Sequence, residues 1–78
     1  MEHEIKIIEQ FAEEHLSGKK PWELRRNDRN YKVGDTIRFT IVDRHYKPIG
    51  KHYKREITYL FEGGVYGLER GFCIFTVK

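Results

Sequence analysis

Residues Ser17 to Asp35 read SGKKPWELRRNDRNYKVGD, which sets a helix stop, a strand and a turn in succession. Gly18 suits the left-handed conformation that closes a helix, and Pro21 has no N–H with which to continue one. From Trp22 to Arg26 apolar and charged residues alternate at the period of a half-buried strand, with Trp22 and Leu24 on one face and Glu23 and Arg25 on the other. Burial of the apolar pair predicts that Trp22 anchors the core and that Glu23 and Arg25 face outward or into a cleft. Asn27 to Gly34 is rich in turn formers, and Asn27 and Asp28 are expected to bond the following backbone through Asx-type turns.

Toward the N-terminus, Ile8, Phe11, Ala12, His15 and Leu16 recur at three- and four-residue spacing, which predicts an amphipathic helix over Glu9–Ser17. In that helix His15 is expected at the edge of the core. Before it, His3–Ile8 alternates as a strand with Ile5 and Ile7 on one face. Toward the C-terminus, Ile37, Phe39 and Ile41 alternate within Asp35–Asp43, a clear strand. Pro48, Ile49 and Gly50 signal a turn, and Arg55–Phe61 alternates again, with Ile57, Tyr59 and Phe61 on one side. The tripeptide HYK occurs at His45–Lys47 and at His52–Lys54; a turn at Pro48–Gly50 would set the copies face to face as a basic, aromatic hairpin tip. Such a tip stacks on bases and holds phosphates, or simply keeps an exposed hairpin from pairing with a neighbour. The last segment, Phe72–Val77, is apolar on both faces apart from Thr76, as in a central strand. One helix and about five strands make the class β-rich α+β, in a single domain over residues 1–78. A strongly bent sheet or small partly open barrel would protect the strand edges economically.

The 78 residues are 35% charged and 38% hydrophobic, too few to build a second domain. Apolar runs reach three or four residues, far short of the roughly 20 that cross a bilayer, so no membrane role is expected. Cys73 is the only cysteine, and with no signal peptide or lipidation motif read in the chain it points to the reducing cytoplasm. The net charge of +3 conceals strong sorting. Met1–Gly18 has one base, Lys6, against five acids; Lys19–Arg55 has twelve bases against four; Glu56–Lys78 has two against three. A middle block of formal charge +8 attracts polyanions, and the acidic start makes any such face one-sided. The same charges also serve as an ordinary solvated coat.

Gly18, Lys20, Glu23 and Arg25 form G-x-K-x-x-E-x-R, followed by Asn27, Asp28 and Arg29 and then Gly34 and Asp35. With His3–Lys6 (HEIK), Arg55–Thr58 (REIT), Glu62–Gly64 (EGG) and Gly67–Leu68, this pattern resembles the ASCH domains of the PUA-like superfamily. Within them it is most similar to a bacterial and phage group of uncharacterised ASCH-like domains held to bind RNA. The resemblance spans nearly the whole chain in order. It implies a small PUA-like mixed β-barrel of about five strands with one short helix, and a cleft lined by Lys20, Glu23 and Arg25. Two departures stand out: Lys54 replaces a glycine before Arg55, and Trp22 replaces a smaller residue.

On that reading the partner is RNA or a nucleotide. Arg25 is a fork for a phosphate or base edge, Lys20 adds a point charge, and Glu23 accepts from a base amino group. Lys6, Arg29 and Tyr31 are placed at the rim, two bases and an aromatic that suit strand binding. The plainer reading is an ion pair that braces the sheet surface, worth at most about 1 kcal/mol if exposed. Some ASCH relatives are amidohydrolases that deacylate a modified cytidine with a Thr nucleophile, a Lys and a Glu. Lys20 matches that lysine, but Glu23 stands where the Thr is expected, and Glu62 is only a stand-in for the third residue. The expectation is a binding module, with Lys20 and Glu23 as the pair for any acid–base work; a protein-interaction module is the remaining alternative. His3, His15, His45 and His52 lack zinc-site spacing, and no dinucleotide or P-loop glycine pattern exists, so neither metal nor cofactor is expected.

Overall fold

The computed structural model describes residues 1–78. Strand β1 (Glu2–Ile8) runs straight into helix α1 (Glu9–Leu16), and β2 (Trp22–Arg26), β3 (Thr36–Val42), β4 (Pro48–Glu62) and β5 (Phe72–Val77) follow. The fold is a compact β-rich α+β globule with one five-stranded sheet and one helix, and its strand order is β1-β3-β4-β5-β2. β1 lies parallel to β3, and the other neighbours are antiparallel. The 15-residue β4 is the spine: its first part pairs with β3, and from Ile57 onward it pairs with β5. The hydrogen-bonded ladder leaves two edges, β1 and β2. No helix is long and apolar enough to cross a membrane.

The core follows the alternation of β1, β3 and β5. Ile5, Ile7, Ile37, Phe39, Ile41, Cys73, Phe75 and Val77 are buried from those strands, with Ile57 from β4 and Ala12 from α1. Phe39 stacks on Tyr53 at 5.0 Å and takes the edge of His15 at 5.1 Å. Gly18 has φ +81° and closes α1, its N–H reaching the His15 carbonyl.

Four expectations from the sequence are corrected. α1 buries Ala12 and His15, whereas Phe11 and Leu16 stay substantially exposed, because the eight-residue helix touches the sheet only along one narrow stripe. The β3–β4 turn lies at Asp43–Lys47, upstream of the Pro48 signal. There the Asp43 carboxylate accepts the N–H groups of His45 (2.8 Å) and Lys47 (3.1 Å), an Asx turn that outweighs the proline. The two HYK tripeptides therefore do not face each other: His52, Tyr53 and Lys54 pair with Thr40, Phe39 and Arg38. In β4 a register shift between Ile57 and Tyr59 inserts one extra residue, so Ile57 is buried while Tyr59 is exposed, and the single alternation through Phe61 is broken.

The fourth correction concerns β2. Trp22 and Leu24 are exposed at 42% and 48%, whereas Glu23 is buried at 4%. The cause is the partner strand. Glu23 lies opposite Phe75 and Arg25 opposite Cys73, and cross-strand partners share a face. β5 turns Cys73, Phe75 and Val77 into the core, so its stronger apolar set carries Glu23 and Arg25 inward with it.

Candidate functional site

Glu23 is the centre of a charged cluster. Its Oε1 accepts from Lys20 Nζ at 3.0 Å and lies 3.2 Å from His15 Nε2, whose one N–H it shares with the Trp22 carbonyl, and its Oε2 accepts from Arg25 Nε at 2.7 Å with Arg25 Nη2 beside it. Burial alone would push this carboxyl up. The hydrogen bond from His15, the charge of Arg25 and the bond and charge of Lys20 outweigh it and hold the pKa at about 2. Both oxygens are engaged and the residue is buried, so Glu23 faces its three neighbours and not a base amino group in the groove.

His15 is held from both sides. The Trp22 carbonyl, which only accepts, lies 3.0 Å from Nε2 and so fixes the proton on that nitrogen. Nδ1 is left to accept from the Tyr53 hydroxyl at 2.8 Å, and burial together with the Glu23 charge raises the Tyr53 pKa and keeps that hydroxyl protonated. The edge strand, the helix and β4 are thus joined through one imidazole.

The Lys20 ammonium lies 4.8 Å from the Trp22 ring centre and 5.2 Å from that of Phe11. Beyond it opens a groove of about 430 Å³, mostly apolar, lined by Ile8, Phe11, Trp22, Leu24 and Tyr46 together with Lys6, Lys20 and Arg25. Tyr46 projects from the Asp43 turn with φ +63°, a conformation rare for a bulky residue.

A second groove, of about 680 Å³, lies on the other side of Lys6 and Arg25. Four cations line it, Lys6, Arg25, Arg26 and Arg29, against the carboxylates of Glu4 and Asp28. Arg25 Nη2 donates to the Lys6 carbonyl at 2.8 Å and Arg29 Nη1 to the Glu4 carbonyl at 2.7 Å. Two arginines from β2 and the loop after it therefore tie themselves to the free edge of β1. Arg26 packs its guanidinium over Phe72 at 5.0 Å.

Of the residues singled out in the sequence, Lys20, Glu23 and Arg25 form one cluster. Lys6 stands beside it, bridging both grooves, and Arg29 belongs to the cationic groove. Tyr31 also lines the cationic groove, from its floor and not from an exposed rim. It is 2% exposed, with its ring against Phe75 at 5.0 Å and His3 at 4.9 Å, because Asn27 Oδ1 takes its N–H and folds the loop back over the core. Glu62 is exposed at the end of β4 and makes no ion pair with the cluster. Sequence reasoning missed Phe11 and Tyr46 as lining groups and Tyr53 as a partner of His15. The helical stripe and the first HYK carried the signal for two of them, but the contact of His15 with Tyr53, 38 residues apart, has no local trace. No group of three or more His, Cys, Asp or Glu side chains is arranged to hold a metal ion.

No curated protein matches the chain. A family model, described as a domain of unknown function, DUF3850, matches residues 2–77. With nearly every residue covered, the chain belongs to the DUF3850 family.

Proposed function

We propose that this domain is an RNA- or nucleotide-binding module of the PUA-like, ASCH type, its bent sheet a partly open barrel whose gap Arg25 and Arg29 bridge. The observation that carries the reading is the pair of adjoining grooves that share Lys6 and Arg25, one cationic and one apolar and aromatic. A nucleotide has the same two halves, a phosphate and a flat base. Arg25 Nη1 and Arg29 Nη2 make no bond to protein and are free for phosphate oxygens. Glu23 then acts as the anchor that positions Lys20 and Arg25. A hydrolytic role for the Lys20–Glu23 pair finds little support, because a carboxyl with a pKa of about 2 is a poor proton acceptor near neutral pH. A cytoplasmic setting, consistent with the single buried Cys73, belongs to the same proposal.

The test is a titration with short single-stranded RNAs over a range of salt. Binding should weaken as salt rises, with a log–log slope of roughly −0.7 per phosphate neutralised. Arg26→Ala and Arg29→Ala should each weaken binding and flatten that slope. Binding that is absent, or indifferent to salt and to both substitutions, overturns the reading.

A further inference from the structure

The polar side chains of the apolar groove are almost all donors. Lys6, Lys20 and Arg25 carry no acceptor, and Trp22 offers only its indole N–H. The one carboxylate, Glu23, has Oε1 taken by Lys20 and His15 and Oε2 by Arg25. The Tyr46 hydroxyl is the single side-chain group lining the groove with acceptor capacity to spare. The Lys20 ammonium lies over the Trp22 ring, so a flat ligand entering the groove beside Trp22 and Tyr46 meets ammonium and guanidinium N–H groups. An exocyclic amino group placed there would face donor with donor and lose its hydrogen bond to water without replacement. A carbonyl oxygen would be matched.

We infer that the groove between Trp22 and Tyr46 selects its base by acceptors, taking keto bases such as guanine and uracil in preference to the amino bases adenine and cytosine, with Lys20 as the discriminating donor. The inference rests on the nucleotide-binding reading and adds the class of base. Guanine and uracil carry a carbonyl oxygen at the position where adenine and cytosine carry an amino group, so one well-placed donor separates the two sets. Lys20 is fixed in position as such a donor, with Glu23 holding its ammonium at 3.0 Å and the rings of Trp22 and Phe11 flanking it.

The full chain, whose only tryptophan is Trp22, reports stacking directly by its fluorescence. Titration with GMP, UMP, AMP, CMP and ribose 5-phosphate should show GMP and UMP binding at least about tenfold more tightly than AMP and CMP, the discrimination of a well-placed base contact. 2-Aminopurine riboside monophosphate, which is GMP without its carbonyl oxygen, should fall to the level of AMP. In Lys20→Met the preference should shrink to within about threefold. The wild-type series decides the matter even where that variant folds poorly. Equal affinity for all four nucleotides with Trp22 quenched, or an undiminished affinity for the 2-aminopurine nucleotide, overturns the base preference and leaves the nucleotide reading standing. Ribose 5-phosphate binding as tightly as GMP likewise overturns it. No binding by any of the nucleotides or by RNA overturns both.

Discussion

Nε2 of His15, on the helix, lies 3.2 Å from Oε1 of Glu23, on the edge strand, and both side chains are almost completely buried. That contact ties α1 to β2, two elements that do not otherwise pack extensively. It also makes Glu23 the shared acceptor of three separate donors from α1, the α1–β2 connection and β2 itself.

Removing the acceptor strands the donors. Glu23→Ala leaves the partly buried Lys20 and Arg25 and the fully buried His15 without their carboxylate and should cost about 3 to 5 kcal/mol, the usual penalty for breaking a buried pair. Glu23→Gln keeps the shape but sets an amide N–H₂ among donors, and it should also destabilise. Adding Lys20→Met to Glu23→Ala should restore part of the loss, since one uncompensated charge is gone. Urea unfolding of the two single variants and the double variant checks the sign of that coupling.

Acid should unfold the domain over a defined range. Glu23 is held at about 2 against its ordinary 4.5, and the hydrogen bond from His3 lowers Asp35 below its ordinary 3.8. A carboxyl depressed in the folded state contributes stability that is fully present above its unfolded pKa and is lost as the pH falls toward the folded one. The contribution of these two carboxyls should therefore be fully present above about pH 5 and be lost between about 4.5 and 2, with Glu23 accounting for about 2 to 3 kcal/mol of the drop. Thermal melts across that range measure it. In Glu23→Gln the loss should be shallower.

Trp22 and Tyr31 should exchange the roles that their sequence positions suggest. Trp22 is substantially exposed and Tyr31 buried. Trp22→Ala should change stability by no more than about 1 kcal/mol while abolishing ligand stacking; Tyr31→Ala should cost about 3 to 5 kcal/mol. Denaturant melts of the two variants are the comparison.

Gly63 and Gly18 should respond differently to alanine. A Cβ on Gly63 would lie 2.8 Å from the Phe72 carbonyl oxygen and nearer still to that of Glu69, both backbone atoms that have no room to yield. Gly63→Ala should cost at least about 2 kcal/mol and disturb the β4–β5 connection. Gly18 has open space around it, and Gly18→Ala should cost only the left-handed strain of about 1 to 2 kcal/mol. Amide exchange across β4 and β5 would separate a local distortion from simple strain.

Much of the fold could be read along the chain. Ile37, Phe39 and Ile41 in β3, and the apolar run of β5, lie in strands buried on one or both faces, where alternation and burial are one pattern. The α1 stop at Gly18 and the Asn27 turn are likewise local devices. β2 was different. Five residues with one apolar and one charged face read as an ordinary amphipathic strand, but an edge strand takes its facing from its single neighbour, and Phe75 opposite Glu23 settled it.

For the candidate site, the strand spacing was enough to pair Glu23 with Arg25, because i, i+2 residues of a strand share a face whichever way that face turns; Lys20, three residues before Glu23 and outside β2, joins them from the α1–β2 connection. The direction of that face depended on β5, and the site's other contacts came from His15 on the helix, Tyr53 on β4 and Tyr46 on the β3–β4 turn. The sequence by itself determined the elements, most of the core and the company of those three charges, since these rest on interactions within a few residues. Only the tertiary structure decided that the charges point inward, that Tyr31 is core and that Trp22 opens onto a groove, because burial is settled by which strand lies alongside.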